Sequence, residues 1–106
     1  ELGRQVLTSQ DLLQMSEGAT VSVAGLVVRR QRPLGKAVYM TLEDELGHSP
    51  LVVWPQAYEK LRLVLREPLL LVRGVVSRQE GTMNIVVNQA RSLQGGQNSP
   101  RAKNWS

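Results

Sequence analysis

The stretch from Thr20 to Arg30 constrains this chain more than any other. It reads Thr-Val-Ser-Val-Ala-Gly-Leu-Val-Val-Arg-Arg, a run of strand-forming residues with one glycine, Gly25, at its middle. Branched side chains favour the pleated backbone, and an isolated glycine inside such a run marks a bulge or a sharp bend. A strand bent at mid-length can pair with different neighbours along its two halves. Small closed barrels need such a strand to turn the corner between sheets.

The residues that follow supply the rest of a barrel. Over 37–43, Val38, Met40 and Leu42 alternate with Tyr39, Thr41 and Glu43, which predicts a half-buried second strand. Asp44-Glu45-Leu46-Gly47 breaks the alternation, and a third strand follows over 49–54, so the two form a hairpin. Pro55 suits a first helical turn, and Tyr58, Leu61 and Leu65 recur at helical spacing. A fourth strand is expected from Pro68 to Arg78, a turn at Gln79–Thr82, and a fifth strand from Met83 to about Asn88, trailing to Leu93. Ahead of the first strand, residues 1–18 predict a short helix. Thr8 or Ser9 caps it, Leu12, Leu13 and Met15 form its apolar stripe, and Glu17-Gly18 ends it.

The expected architecture is all-β: a five-stranded OB-fold Greek-key barrel with a helix between strands three and four and a short N-terminal helix. SH3-like and Sm-like barrels also have five strands but lack that helix. The domain spans 19–93, preceded by a helical extension at 1–18 and followed by a disordered tail at 94–106. A length of 106 residues suits one domain, and 42% hydrophobic residues suit a folded one. With no Phe, the core must be built from Val and Leu.

The absence of cysteine excludes disulfides, thiolate metal sites and cysteine nucleophiles. No run approaches the roughly 18–20 apolar residues of a membrane span. The chain starts at Glu1 without Met, and the expectation is a piece of a larger cytoplasmic protein with no membrane contact. The three consecutive carboxylates Glu43, Asp44 and Glu45 splay apart in a turn, and His48 has no identifiable catalytic partner. Neither metal binding nor catalysis is expected, no cofactor is implied, and the domain is not an enzyme in itself.

The charge points elsewhere. The net charge is +4 and the pI about 10.1, which suits a polyanionic partner. Four cations, Arg29, Arg30, Arg32 and Lys36, fall within 29–36 without an acid among them. An aromatic strand beside a basic loop is what a single-stranded nucleic-acid platform requires. Tyr39 is the expected base-stacking residue, on the face opposite Val38, Met40 and Leu42, with the Thr41 hydroxyl beside it. Arg30, Arg32 and Lys36 are the expected phosphate contacts; Arg29, one position off in strand parity, is expected to face away. Arg73 and Arg78 on strand four and Asn88 on strand five complete the expected nucleic-acid contacts: Arg73 interrupts the apolar run Leu69–Val72 and so points outward, and Asn84 and Asn88 offer polar groups to base edges. Trp54 is expected to plug the barrel end, and Tyr58 to belong to the apolar stripe of the helix.

Three stretches carry a resemblance to a known family: Val21-Ser-Val-Ala-Gly-Leu-Val-Val-Arg-Arg-Gln-Arg-Pro33, Lys36-Ala-Val-Tyr-Met-Thr-Leu-Glu-Asp-Glu-Leu-Gly47 and Leu51-Val-Val-Trp-Pro55. Together with Val72-Arg-Gly-Val-Val76 they resemble the C-terminal OB domain of the bacterial DNA polymerase III alpha subunit, a C-family polymerase, and most closely its error-prone form. Tyr39 stands where that family more often has Phe, and both stack. The end, Pro100-Arg-Ala-Lys-Asn-Trp-Ser106, loosely resembles the basic and aromatic terminus of error-prone alpha subunits. The resemblance implies a template-binding module of a parent DNA polymerase acting in replication or repair, including translesion synthesis. Its implied partners are single-stranded DNA, the other domains of the parent and replication or repair accessory proteins. Two alternatives stay open: an adapter that docks proteins, and an anticodon-binding domain of an aminoacyl-tRNA synthetase, whose strands one to three share the pattern.

Overall fold

The computed structural model describes residues 6–32, 37–79 and 81–93. The expected tail at 94–106 and the first five residues lie outside them. Along the chain run β1 (Val6–Leu7), α1 (Ser9–Leu12), β2 (Thr20–Gln31), β3 (Val38–Asp44), β4 (Gly47–Val53), α2 (Pro55–Leu61), a 3-10 turn (Val64–Arg66), β5 (Leu69–Gln79) and β6 (Thr82–Ser92). Strands β2 to β6 close an all-β OB-fold barrel in the order β2-β3-β4-β6-β5, with β5 returning to β2.

β2 is the strand that makes closure possible. Its first half pairs antiparallel with β5, from Thr20 opposite Val75 to Leu26 opposite Leu69. Its second half pairs antiparallel with β3, from Leu26 opposite Glu43 to Gln31 opposite Tyr39. Leu26 therefore pairs on both sides, and the switch falls next to Gly25. A Cβ at Gly25 would run into the Glu43 carbonyl oxygen, so only glycine lets the backbones cross this closely. The parallel pairing of β4 with β6, at Leu51–Ile85 and Val52–Val86, completes the barrel.

The core is made of Val and Leu, as the composition requires. Val21, Val23, Leu42, Leu51, Val53, Leu70, Val72, Ile85 and Val87 are buried inside the barrel, joined by Leu12 from α1 and Leu65 from the 3-10 turn. Burial of such side chains contributes about 1.5–3 kcal/mol each, and no aromatic ring is needed to fill a barrel this small.

The N-terminal extension departs from expectation. Instead of a helix running from its cap at Thr8 or Ser9 to Glu17-Gly18, α1 has 4 residues and is preceded by a short strand. The bend in β2 explains the difference. Its first half pairs with β5 on one side only, which leaves a free edge, and β1 takes that edge in parallel, with Val6 opposite Ser22 and Leu7 opposite Val23. Thr8 is the N-cap of α1, in a capping box with Asp11.

Ser9 has another partner. Its N–H and hydroxyl donate to the Asp44 carboxylate at 2.7 and 2.8 Å, and the Leu46 and Gly47 N–H groups donate to the same side chain at 2.9 Å. Burial pushes the Asp44 pKa up, but these four donors together outweigh it and hold the group below its usual value. Asp44 thus ties α1 to the β3–β4 turn. Among the described residues no helix is long and apolar enough to cross a membrane.

Candidate nucleic-acid interface

The outer face of β2, β3 and β4 is built by register. Tyr39 lies between Gln31 and Val52, Thr41 between Arg29 and Pro50, and Glu43 between Leu26 and His48. Residues opposite one another in a ladder share a face, so these side chains form one layer on the outer side of the strands, in which Val52 is buried. Tyr39 is 40% exposed.

A second aromatic joins this face, against expectation. Trp54 is 52% exposed and does not plug the barrel end. Parity gives the reason. Val53 is fully buried and takes the inward position, and Trp54 follows it in extended backbone (φ −71, ψ 158), so its ring turns to the opposite, outer side. The inward apolar role downstream falls to Leu65.

The two arginines at the end of β2 exchange their expected places. The β2–β3 register shifts between Val27 and Arg29, which leaves Val28 as an extra residue. Through Val27 the odd positions of β2 face inward; beyond the bulge the even ones do. Arg29 therefore stands opposite Thr41, on the Tyr39 face, and Arg30 opposite Met40, on the core side. The Arg30 guanidinium reaches the barrel end, where Nε and Nη2 donate to the Leu65 carbonyl at 3.2 and 3.0 Å and Nη2 also to the Glu67 carbonyl at 3.2 Å. Its hydrogen-bonding capacity goes largely to tying the 3-10 turn to β2.

Arg32 lies at the same rim, with its guanidinium carbon 4.6 Å from the centre of the Tyr58 ring. Tyr58 packs against the core along the helix stripe, as expected, and its outer ring face carries this cation. Arg62 and Arg66, from the ends of α2 and the 3-10 turn, line the same cavity. Lys36 lies outside the described residues.

The other predicted contacts are elsewhere. Arg73, partly buried, and Asn88, exposed, share a groove of about 620 Å³ with Val6, Ser22 and Arg91, on the wall formed by β2, β5 and β6. Asn88 sits at the shift in the β5–β6 register, where Arg73 pairs with Gln89 and Gly74 with Val87. Arg78 is held in place: its guanidinium donates to the Leu13 and Met15 carbonyls at 2.8–3.1 Å, and its N–H donates to Glu17 Oε1 at 3.0 Å. It fastens the chain after α1 to β5.

Among the described residues the one ion pair is His48 Nε2 with Glu43 Oε2 at 3.5 Å, both exposed. Arg29, Arg32, Arg62 and Arg66 thus have no acidic partner among those residues. Sequence reasoning missed Arg29, Trp54, Arg62 and Arg66. A bulge hid Arg29, strand parity could have found Trp54, and only the packing of the 3-10 turn against β2 brings the last two to the rim.

Known proteins share this fold. Residues 21–93 match the family described as OB-fold nucleic acid binding domain. The chain is 40% identical over 89 residues to an error-prone DNA polymerase of Methylococcus capsulatus, covering 81% of this chain and 8% of that one. It is 42% identical over 94 residues to the error-prone DNA polymerase of Anaeromyxobacter dehalogenans, covering 86% and 8%. The chain thus spans under a tenth of the length of these curated relatives. Asparaginyl-tRNA synthetase from Pyrococcus horikoshii superposes with a TM-score of 0.72 at 21% identity, covering 91% of this chain and 24% of that one, which shows the shared fold.

Proposed function

This chain belongs to the family of OB-fold nucleic acid binding domains, and from that premise we propose that it binds single-stranded template DNA as one module of an error-prone DNA polymerase. The observation that carries the proposal is the outer face of β2–β4, where two exposed aromatics and Arg29 stand with no acid paired to the arginine among the described residues. Identity of about 40% to proteins named error-prone DNA polymerases supports the choice of parent over a synthetase.

Bases stack on Tyr39 and Trp54, which is sequence-tolerant because every base has a π-face. Arg29 and Arg32 contact the backbone phosphates, and Thr41 and Gln31 offer polar groups beside the stacked bases. The module holds and orients the strand. Nucleotidyl transfer belongs to other parts of the parent.

The test is a fluorescence-anisotropy titration of the 106-residue chain with labelled oligo-dT at low salt. Stacking is worth roughly 1–3 kcal/mol per base, so Tyr39→Ala and Trp54→Ala should each weaken binding by about 5- to 150-fold. The salt dependence should change little, since neither residue is charged. Absence of binding by the unaltered chain, or unchanged affinity in the double variant, would sink the proposal.

A further inference from the structure

We infer that the cavity at the α2 end of the barrel is a phosphate seat, in which Arg32, Arg62 and Arg66 hold one phosphate group of the strand that stacks on Tyr39. The inference rests on the single-stranded DNA reading and adds a second contact point to it. The cavity measures about 180 Å³, below the roughly 300 Å³ at which pockets begin to enclose a drug-sized molecule. It suits one small group. Val38 and Met40, the chain neighbours of Tyr39, line it together with Gln31, which pairs with Tyr39 across the ladder, so it adjoins the strand segment that carries the stacking ring.

Its charge selects the group. Arg30, Arg32, Arg62 and Arg66 all line it, and no acidic residue does. Four guanidiniums around one small space repel one another until an anion enters. Two of the four are fixed in advance: Arg30 by the Leu65 and Glu67 carbonyls, Arg32 by its place over Tyr58. A guanidinium stacked by its face keeps its N–H edge free, and that edge matches two phosphate oxygens. Arginines at the end of a helix commonly serve only to balance its negative pole. Here Arg30 already occupies the carbonyls of the 3-10 turn, and Arg62 and Arg66 remain exposed without an acidic partner among the described residues.

The phosphate can be an internal phosphodiester or a terminal phosphate, and the two are separable. The 106-residue chain and its Arg62→Gln/Arg66→Gln variant are titrated with oligo-dT carrying a 5′-hydroxyl or a 5′-phosphate, across a range of salt, with Tyr39→Ala alongside. Both arginines are exposed, so their replacement should leave the fold intact, and a thermal melt of the variant checks this. The double variant should bind about tenfold more weakly. Its log–log salt slope should fall in magnitude by about 0.7 for each phosphate no longer neutralised. Tyr39→Ala should lose affinity at unchanged slope. Equal losses for the two oligonucleotides identify an internal phosphate; a 5′-phosphate preference that vanishes in the variant identifies a terminal one.

If the arginine variant keeps the original affinity and slope while Tyr39→Ala binds weakly, the phosphate seat is wrong and the stacking face stands. If the unaltered chain binds no oligonucleotide, the DNA reading fails. Inorganic phosphate then probes the cavity alone. Saturable NMR shifts at the Arg62 and Arg66 Nε–H groups retain it as an anion site, and their absence removes it.

Discussion

At the scale of single residues, one residue type does three jobs here, and position alone separates them. Arg29 stands on the Tyr39 face, Arg30 ties the 3-10 turn to β2, and Arg78 fastens the segment after α1 to β5. A sequence counts cations but does not say which already have a carbonyl to hold. That is why Arg30 reads as a phosphate ligand and Arg78 as a nucleic-acid contact, whereas the structure uses both as ties. The difference is measurable. Arg30→Gln removes three charge-assisted hydrogen bonds at a partly exposed site, and should lower the free energy of unfolding by about 1–2 kcal/mol. The urea midpoint should fall accordingly, while the salt slope of DNA binding falls by less than the ~0.7 of a lost phosphate contact, since Arg30 lines the cavity but spends its donors on carbonyls. A normal midpoint with a slope reduced by that full amount would make Arg30 a phosphate ligand after all.

At the scale of elements, β2 shows what a pattern can and cannot disclose. Its central glycine was legible, because nothing else in a run of Val, Ala and Leu calls for one, and the prediction of a strand shared by two neighbours follows directly. The bulge three residues later was not legible. Val27-Val28-Arg29-Arg30 reads as ordinary strand, and the extra residue arises only from fitting β2 to β3 beyond the bend. One unseen residue moved every later side chain to the other face, so Arg29 and Arg30 were exchanged. β1 was hidden for a related reason: two residues carry no period, and their strand pairing depends on an edge that exists only once β2 has bent. The glycine gives the sharper test. In Gly25→Val the new side chain meets the Glu43 carbonyl, and the backbones must separate where β2 changes partners. The expected cost is about 1–3 kcal/mol or more, as for overpacked cores. It should appear as a lower urea midpoint and faster hydrogen exchange at both Leu26 and Glu43. A variant as stable as the original would mean that the close approach is not what bends the strand.

At the scale of the whole molecule, closure distributes the predicted contacts over different walls. Read from the sequence, Tyr39, Arg73 and Asn88 are all candidate nucleic-acid contacts, with nothing to say whether they share one surface. In a closed barrel outward points in every direction, and β5 and β6 lie across the core from β3. Facing sheet walls stand about 10 Å apart, and outward side chains lie farther still. The Debye length at physiological salt is about 8 Å, so a charge on one wall scarcely acts on a ligand at the other. Arg73→Gln should therefore change the affinity for a four-nucleotide oligo-dT less than about twofold at about 0.15 M salt, while Arg29→Gln weakens it several-fold through a direct phosphate contact. Distant sites add, so the double variant should bind like Arg29→Gln alone. A longer strand is different, since it can run over the rim and along the β5–β6 groove. If Arg73→Gln weakens a twenty-nucleotide strand but not the four-nucleotide one, the groove is a continuation of the path. If it weakens the short strand as much as Arg29→Gln does, the two walls act as one surface and the division drawn from the barrel is wrong.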